Sequence, residues 1–386
     1  MEHESLVFSF FLIFTGAALL STIALFFRQP LLVAYICIGG ILGPYGLKLI
    51  SDSTLLSDIA EFGIIFLLFL LGLDMQPAKL VSTLRKTFLI TLASSTLFVL
   101  LGYSTGILFG LPQLESLVIG GAMIFSSTII GIKLLPTTVL HQKHMGELMV
   151  GILLLQDFIA IFLLIFLDVD QAGGARTLQV FIAFPAMLLL AYLFTRYLLL
   201  NLIARFDHFK EYIFLLAIGW CLGLSTLASF IGLSTEIGAF VAGISLATSP
   251  IAQYISISLK PLRDFFLILF FFSLGAQFNI DLLGQIIAPA LVLAILALTC
   301  KPVVFHYLLR QFEERNRLAW DAGLRLGQIS EFSLLVAYVA VQSGIIGEIA
   351  SMTIQAAAII TFMVSSYIVV LFCPTPISIS EKLRRD

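Results

Sequence analysis

Asp157 lies in the run Leu153-Leu154-Leu155-Gln156-Asp157-Phe158-Ile159-Ala160, a carboxyl group with apolar side chains on almost every side. Inside lipid such an acid costs about 2.5–3.5 kcal/mol on insertion scales, so its presence asks for a reason. It either joins two helices as a hydrogen-bonded or protonated acid, or it serves an ion or proton pathway, the default role of intramembrane carboxylates. Low dielectric favours the neutral acid, and a bound cation favours the carboxylate. One group can hold a proton or a cation but not both, and that competition is the chemistry of ion–proton exchange.

Other polar groups break the apolar pattern. The segment Phe125-Ser126-Ser127-Thr128-Ile129-Ile130-Gly131 is followed by Lys133 and Pro136. Three consecutive hydroxyls offer oxygen ligands and let a helix unwind, so that its carbonyls can coordinate ions. Back-bonding of Ser and Thr to their own helix is the alternative. In Gly323-Leu324-Arg325-Leu326-Gly327-Gln328-Ile329-Ser330-Glu331-Phe332, Arg325, Gln328 and Glu331 stand at i, i+3 and i+6. This spacing predicts a polar stripe on one helix face, turned toward protein or water. An internal Arg–Glu salt bridge and an ion- or proton-linked Glu331 both fit it. Lys301, just before Pro302, either snorkels to the cytoplasmic face or balances Asp157 while the cation site is empty. Glu61 and Glu236 read as interfacial or helix-pairing residues near helix ends. His141 and His144 fall in a loop, solvated or pH-sensing.

Helices must position these groups. Of 386 residues, 60% are hydrophobic and 11% charged, and the mean hydropathy is +1.09. Soluble domains carry about a quarter charged residues. A chain this poor in charge cannot dress a surface for water, so the lipid bilayer is its solvent and the fold class is an all-α membrane protein. Met1-Glu2-His3-Glu4 lacks a positive n-region, and the first apolar stretch is too long for a signal core. No basic tract points to nucleic acid. Cys37, Cys221, Cys300 and Cys373 stand singly, which indicates no metal centre, disulfide framework or cofactor. The reading is a transporter, not an enzyme.

At about 20 apolar residues per crossing, thirteen transmembrane helices are expected, near 5–27, 30–50, 56–73, 87–111, 114–133, 145–167, 177–200, 211–230, 233–249, 262–280, 284–309, 318–341 and 350–372. Basic residues fall on alternate connections: Arg28; Lys79, Arg85 and Lys86; Lys133 and Lys143; Arg196, Arg205 and Lys210; Lys260 and Arg263; Arg310, Arg315 and Arg317; Lys382, Arg384 and Arg385. The other connections hold only Lys48 and Arg176, while Lys301 and Arg325 lie inside spans. The positive-inside rule then places the N-terminus outside and the C-terminus in the cytoplasm.

A constant offset links the two halves. Gly40 matches Gly243, and Gly72 in Phe69-Leu70-Leu71-Gly72 matches Gly275 in Phe272-Ser273-Leu274-Gly275, each pair 203 residues apart. The same offset lays Thr128 on Glu331. Matched spans differ by seven, an odd number, so they run in opposite directions. Two inverted repeats, roughly 30–200 and 233–372, are expected within one transport unit covering 1–386.

With these motifs in hand, the chain resembles the monovalent cation:proton antiporters, specifically their Kef-type potassium efflux branch. The matching stretches are Gly39-Gly40-Ile41-Leu42-Gly43-Pro44-Tyr45-Gly46-Leu47, then Glu61-Phe62-Gly63 through Phe69-Leu70-Leu71-Gly72-Leu73-Asp74, Ser126-Ser127-Thr128, Leu155-Gln156-Asp157, Gly238-Ala239-Phe240-Val241-Ala242-Gly243 and Gly327-Gln328-Ile329-Ser330-Glu331-Phe332. The resemblance implies a homodimer in the inner membrane, in which a core domain moves against a dimerisation domain. It implies broken helices in spans 5 and 12, crossing beside the ion site. Asp157 matches the family's cation-binding aspartate. Lys301 looks like the lysine that sodium/proton relatives pair with an acid immediately before that aspartate, a position held here by Gln156.

Potassium is therefore the expected cation before sodium, with Ser126, Ser127, Thr128 and backbone carbonyls completing its shell. One titrating carboxylate implies one cation per proton and electroneutral exchange. Typical Kef proteins continue into a nucleotide-binding regulatory domain, but no GxGxxG follows span 13 here. Either this is a membrane-only relative, or that domain lies outside this sequence; a separate regulatory subunit is left open. A gated cation channel on the same scaffold and a carrier for organic anions are the alternative functions.

Overall fold

Side chains in this protein are sorted in the opposite sense to those of a water-soluble one. Phe26 and Phe230 are each 84% exposed, whereas Lys301, Arg325 and Gln328 are completely buried. Apolar outside and polar inside is the arrangement a hydrocarbon solvent selects. The computed structural model describes residues 6–27, 29–50, 53–74, 77–127, 144–170, 173–206, 208–231, 233–247, 249 and 251–373.

Every regular element among the described residues is helical. In chain order they are α1 (Leu6–Phe26), α2 (Leu31–Leu42), α3 (Ser53–Asp74), α4 (Pro77–Leu108), α5 (Gln113–Ile124), α6 (His144–Asp170) and α7 (Gly173–Phe194). A π turn, Thr195–Leu199, joins α7 to α8 (Leu200–Arg205), followed by α9 (Lys210–Phe230), α10 (Thr235–Ala247) and α11 (Ala252–Ala276). A short 3₁₀ turn leads into α12 (Leu283–Gln311), then α13 (Asn316–Arg325), α14 (Glu331–Gln342) and α15 (Glu348–Phe372). Among the described residues six helical stretches are long and apolar enough to cross a membrane by themselves, and shorter apolar helices accompany them.

The helices follow the thirteen expected spans in order, with informative departures. The second span ends at Leu42 rather than near 50, the fifth stops at Ile124, and the twelfth is cut between Arg325 and Glu331. Several basic residues assigned to connections ride on helices instead: Arg85 and Lys86 on α4, Lys260 and Arg263 on α11, and Arg196 in the π turn. Hydropathy marks the hydrocarbon, whereas backbone hydrogen bonding carries a helix beyond it. The end of α4 is set by Gly110, whose φ of +77° suits glycine. Leu111 N–H reaches back to the Gly106 carbonyl at 3.0 Å there, closing a Schellman turn.

The chain divides into two compact units. The first comprises Met1–Ala17, Tyr35–Leu80 and Leu164–Gln277. Close backbone approach holds it together, as expected where lipid leaves no hydrophobic drive between helices. A Cβ on Gly72 of α3 would stand 2.5 Å from the Phe240 carbonyl and 3.0 Å from Gly243 Cα, both on α10. A Cβ on Gly275 of α11 would stand 2.0 Å from the Ile36 carbonyl of α2, where Gly40 in turn faces the Gly275 carbonyl. Gly72 thus meets Gly243, and Gly40 meets Gly275. These are the two offset-matched pairs with their partners exchanged.

The second unit comprises Ala18–Ala34, Val81–Leu163 and Phe278–Asp386. In it α4 packs on α5 at Gly102, where a Cβ would lie 2.7 Å from Gly120 Cα. Phe98 of α4 meets Phe305 of α12 edge-on at 5.4 Å. Pro302 of α12 lies against Gly323 and Gly327, so α13 and the segment after it can approach α12 closely. All of the polar residues singled out around Asp157 belong to this second unit.

Candidate functional site

Two helices of the second unit stop in mid-course. Past Ile124, Phe125 takes an extended conformation (φ −75°, ψ 141°) and α5 ends. Past Arg325, α13 ends, and α14 begins only at Glu331. Each end leaves backbone groups without helical partners, a cost that must be met locally inside lipid. The two breaks meet it with each other. Ser126 Oγ donates to the Leu326 carbonyl at 2.8 Å, and Gln328 Nε2 donates to the Ser127 carbonyl at 3.3 Å. A second bond from Gln328 Nε2 reaches the Arg325 carbonyl at 2.8 Å.

Lys301 ties the breaks further. Its Nζ donates to the Phe125 carbonyl at 2.9 Å and to the Gln328 carbonyl at 2.8 Å, and lies 5.2 Å from the centre of the Phe98 ring. The ammonium thus sits where the carbonyl ends of α5 and α13 leave partial negative charge. Charge-assisted bonds of this kind contribute about 1.5–3 kcal/mol each. The snorkelling reading of Lys301 is corrected by this position. It does not snorkel, being fully buried, and among the described residues no salt bridge joins it to Asp157. The carbonyls of two unwound segments offered a better-matched partner than the distant headgroups.

The expected stripe on one helix face is also corrected. Arg325, Gln328 and Glu331 do not share a helix: Arg325 closes α13, Gln328 lies in the break, and Glu331 opens α14. Gly327 packs on Pro302, and Gln328 turns its side chain onto the other break. Arg325 Nε bonds Asp321 Oδ1 one turn back on α13 at 2.9 Å, so the ion pair seen here runs within α13. Ser330 caps α14 by accepting from Phe332 N–H at 3.1 Å, and Glu331 places an acid at that helix's positive end.

Asp157 is 4% exposed on α6, beside Gln156. Gln156 Oε1 accepts the Ser126 N–H at 3.0 Å, which satisfies a donor freed by the α5 break. Its Nε2 is buried and has no hydrogen-bond partner among the described residues. The Asp157 and Glu331 carboxyls interact electrostatically. Ser126, Ser127, Gln156, Lys301, Arg325 and Gln328 are thereby linked in one buried network. Thr128 and His141 lie outside the described residues. Glu61 is exposed on α3, and Glu236 sits in the first turn of α10 accepting from the Thr235 hydroxyl at 3.2 Å, both in the first unit.

Sequence reasoning missed the contribution of α15. Thr361 Oγ1 accepts the Ile329 N–H at 3.2 Å, and Ser365 Oγ donates to Gln328 Oε1 at 3.2 Å. Ser333 on α14, also missed, donates to the Ala122 carbonyl of α5 at 2.7 Å. The available signal was the i, i+4 pair of hydroxyls in an otherwise apolar span, which lines up one buried face.

A buried carboxyl beside two interlocked helix breaks is chemistry for holding a small cation or a proton. Residues 11–374 match the transmembrane sodium/hydrogen exchanger family. The chain belongs to that family. It is therefore a multi-pass membrane protein. It is 31% identical over 319 residues to K(+) efflux antiporter 5 of Arabidopsis thaliana, covering 80% of this chain and 56% of that protein. It is 30% identical over 338 residues to the glutathione-regulated potassium-efflux system protein KefC of Klebsiella pneumoniae, covering 84% of this chain and 54% of the other. The chain thus spans about half the length of these relatives. Its fold matches the structure of the sodium proton antiporter MjNhaP1 from Methanocaldococcus jannaschii with a TM-score of 0.71. That match has 17% identity and covers 93% of this chain and 94% of the other.

Proposed function

We propose that this chain exchanges a monovalent cation, potassium in preference to sodium, for protons by alternating access, with Asp157 carrying either ion in turn. The observation that carries this reading is the nearly complete burial of Asp157 in the unit that also holds both helix breaks. A carboxyl in that setting binds a cation when ionised and nothing when protonated, so the two ions compete for it. Potassium is favoured because the relatives named potassium-efflux proteins align over most of the chain, and because Gln156 stands where sodium/proton relatives carry an acid. The Phe125 and Gln328 carbonyls are taken by Lys301. Ser126, Ser127, Thr128 and Gln156 are the candidates for the other oxygens of the shell.

The same reading has one cation exchanged per proton without net charge movement, repeats over roughly 30–200 and 233–372, a homodimer, and an inner-membrane topology with N-terminus outside and C-terminus cytoplasmic. The test is a proteoliposome with an imposed pH gradient and a fluorescent proton reporter, challenged in turn with potassium, sodium and lithium. Potassium should dissipate the gradient at lower concentration than sodium, with no current under voltage clamp on a solid-supported membrane. Cation flux that leaves the proton gradient intact would replace the exchanger with a channel.

A further inference from the structure

Two hydroxyls on α15, Thr361 and Ser365, meet the α13–α14 break from outside it. They stand at i and i+4, on one face, and both are buried. Thr361 Oγ1 donates to the Ala358 carbonyl at 2.9 Å, which leaves a lone pair for the Ile329 N–H at 3.2 Å. That N–H was freed when the helix unwound. Ser365 Oγ donates to Gln328 Oε1 at 3.2 Å and holds that end of the amide. With Oε1 held by a donor, Nε2 is turned to the carbonyls of Ser127 and Arg325, at 3.3 and 2.8 Å. A flipped amide would set its oxygen against those two carbonyl oxygens, four lone-pair acceptors with no proton between them. The two carbonyls therefore select the amide orientation, and Ser365 anchors the Oε1 end of the amide that links the α13–α14 break to the α5 break.

Thr361 acts on the next residue of the same segment. Its bond fixes the peptide between Gln328 and Ile329, and the carbonyl of that peptide is the one Lys301 holds. Between them the two hydroxyls place the backbone and the side chain of Gln328. Neither touches Asp157 through any hydrogen bond among the described residues; their contacts with the break are to Gln328 and Ile329.

We infer that Thr361 and Ser365 are positioning residues that set the cation affinity and the potassium-over-sodium preference of the site by holding Gln328 in register with Ser127. This inference rests on the exchange reading above. Selectivity needs oxygen ligands kept at fixed separations, and a buried shell held within about 0.5 Å depends on the groups behind it. A loosened break would accept cations of either size at wider, weaker spacing.

The test compares wild type with Thr361→Val and Ser365→Ala in proteoliposomes. Proton movement is read against potassium and sodium concentration, and melting temperature is measured in parallel. Each variant should raise the half-saturating potassium concentration about fivefold, the equivalent of one lost net hydrogen bond. Each should also narrow the potassium-to-sodium ratio, with maximal rate changed less. Thr361→Ser and Ser365→Thr, which keep the hydroxyl, should restore both quantities. A merely structural role predicts lower melting temperature and lower maximal rate with unchanged half-saturation and unchanged ratio, and that result overturns the inference. So does wild-type behaviour of Thr361→Val and Ser365→Ala. Failure of wild type itself to move protons with any cation would instead overturn the exchange reading.

Discussion

Phe125 and Gln328 present their backbone carbonyls to one ammonium group, Lys301 Nζ, at 2.9 and 2.8 Å. The two residues are 203 positions apart, the same offset that separates Gly40 from Gly243 and Gly72 from Gly275. Lys301 itself stands 203 positions after Phe98, whose ring centre lies 5.2 Å from Nζ, so two pairs of the same offset meet in one contact. The lysine is coordinated by the breaks much as a small cation would be, and it neutralises two helix ends at once.

Lys301→Met keeps the length of the side chain and removes the charge. It leaves the Phe125 and Gln328 carbonyls buried without a donor, at about 1–3 kcal/mol for each. A net loss of about 2–4 kcal/mol is expected, read as a lower thermal midpoint in detergent. A midpoint at or above wild type would mean that burying the ammonium costs more than its two bonds return, as can happen for buried charges.

Glu313, just past the end of α12, has a φ of +65°, a left-handed conformation that costs a non-glycine residue about 1–2 kcal/mol. Glu314 N–H closes back on the Leu309 carbonyl at 3.2 Å, the Schellman pattern that glycine usually serves. Glu313→Gly should raise stability by about 1 kcal/mol with exchange unchanged. A lower midpoint would show that the carboxylate contributes more at this helix end than its backbone conformation costs.

Competition for one carboxyl has a kinetic signature. More protons on the substrate side should raise the half-saturating cation concentration while saturating cation restores the same maximal rate. The limiting slope is about tenfold per pH unit. Initial rates over a grid of pH and potassium concentration read this directly. A maximal rate that falls with acid while half-saturation stays constant would place proton and cation on separate groups.

Much of this arrangement was readable before any coordinates. The carboxyl at Asp157 and the hydroxyls at Ser126 and Ser127 stand out because lipid penalises polar groups, so each one left in a span is a signal. The same penalty located the helices. What pattern reasoning missed were the non-local partners. Periodicity assumes an unbroken helix, so it placed Arg325, Gln328 and Glu331 on one face when the chain unwinds between them. The carbonyl partners of Lys301 are hidden because nothing in the local sequence marks those of Phe125 and Gln328 as free. Thr361 and Ser365 lay in a span with no charged side chain after its first residue, Glu348, and hydroxyls there bond their own helix often enough to be passed over.

The account stands on Asp157 as the group that proton and cation share. The direct measurement is potassium-driven proton movement in proteoliposomes holding wild type or Asp157→Asn, with folding of the variant checked by its thermal midpoint. Asparagine keeps the shape and cannot ionise, so the account predicts that the folded variant moves no protons at any potassium concentration. Proton movement in folded Asp157→Asn at a rate near wild type would contradict it, and would move the exchange site to another carboxyl, Glu331 first.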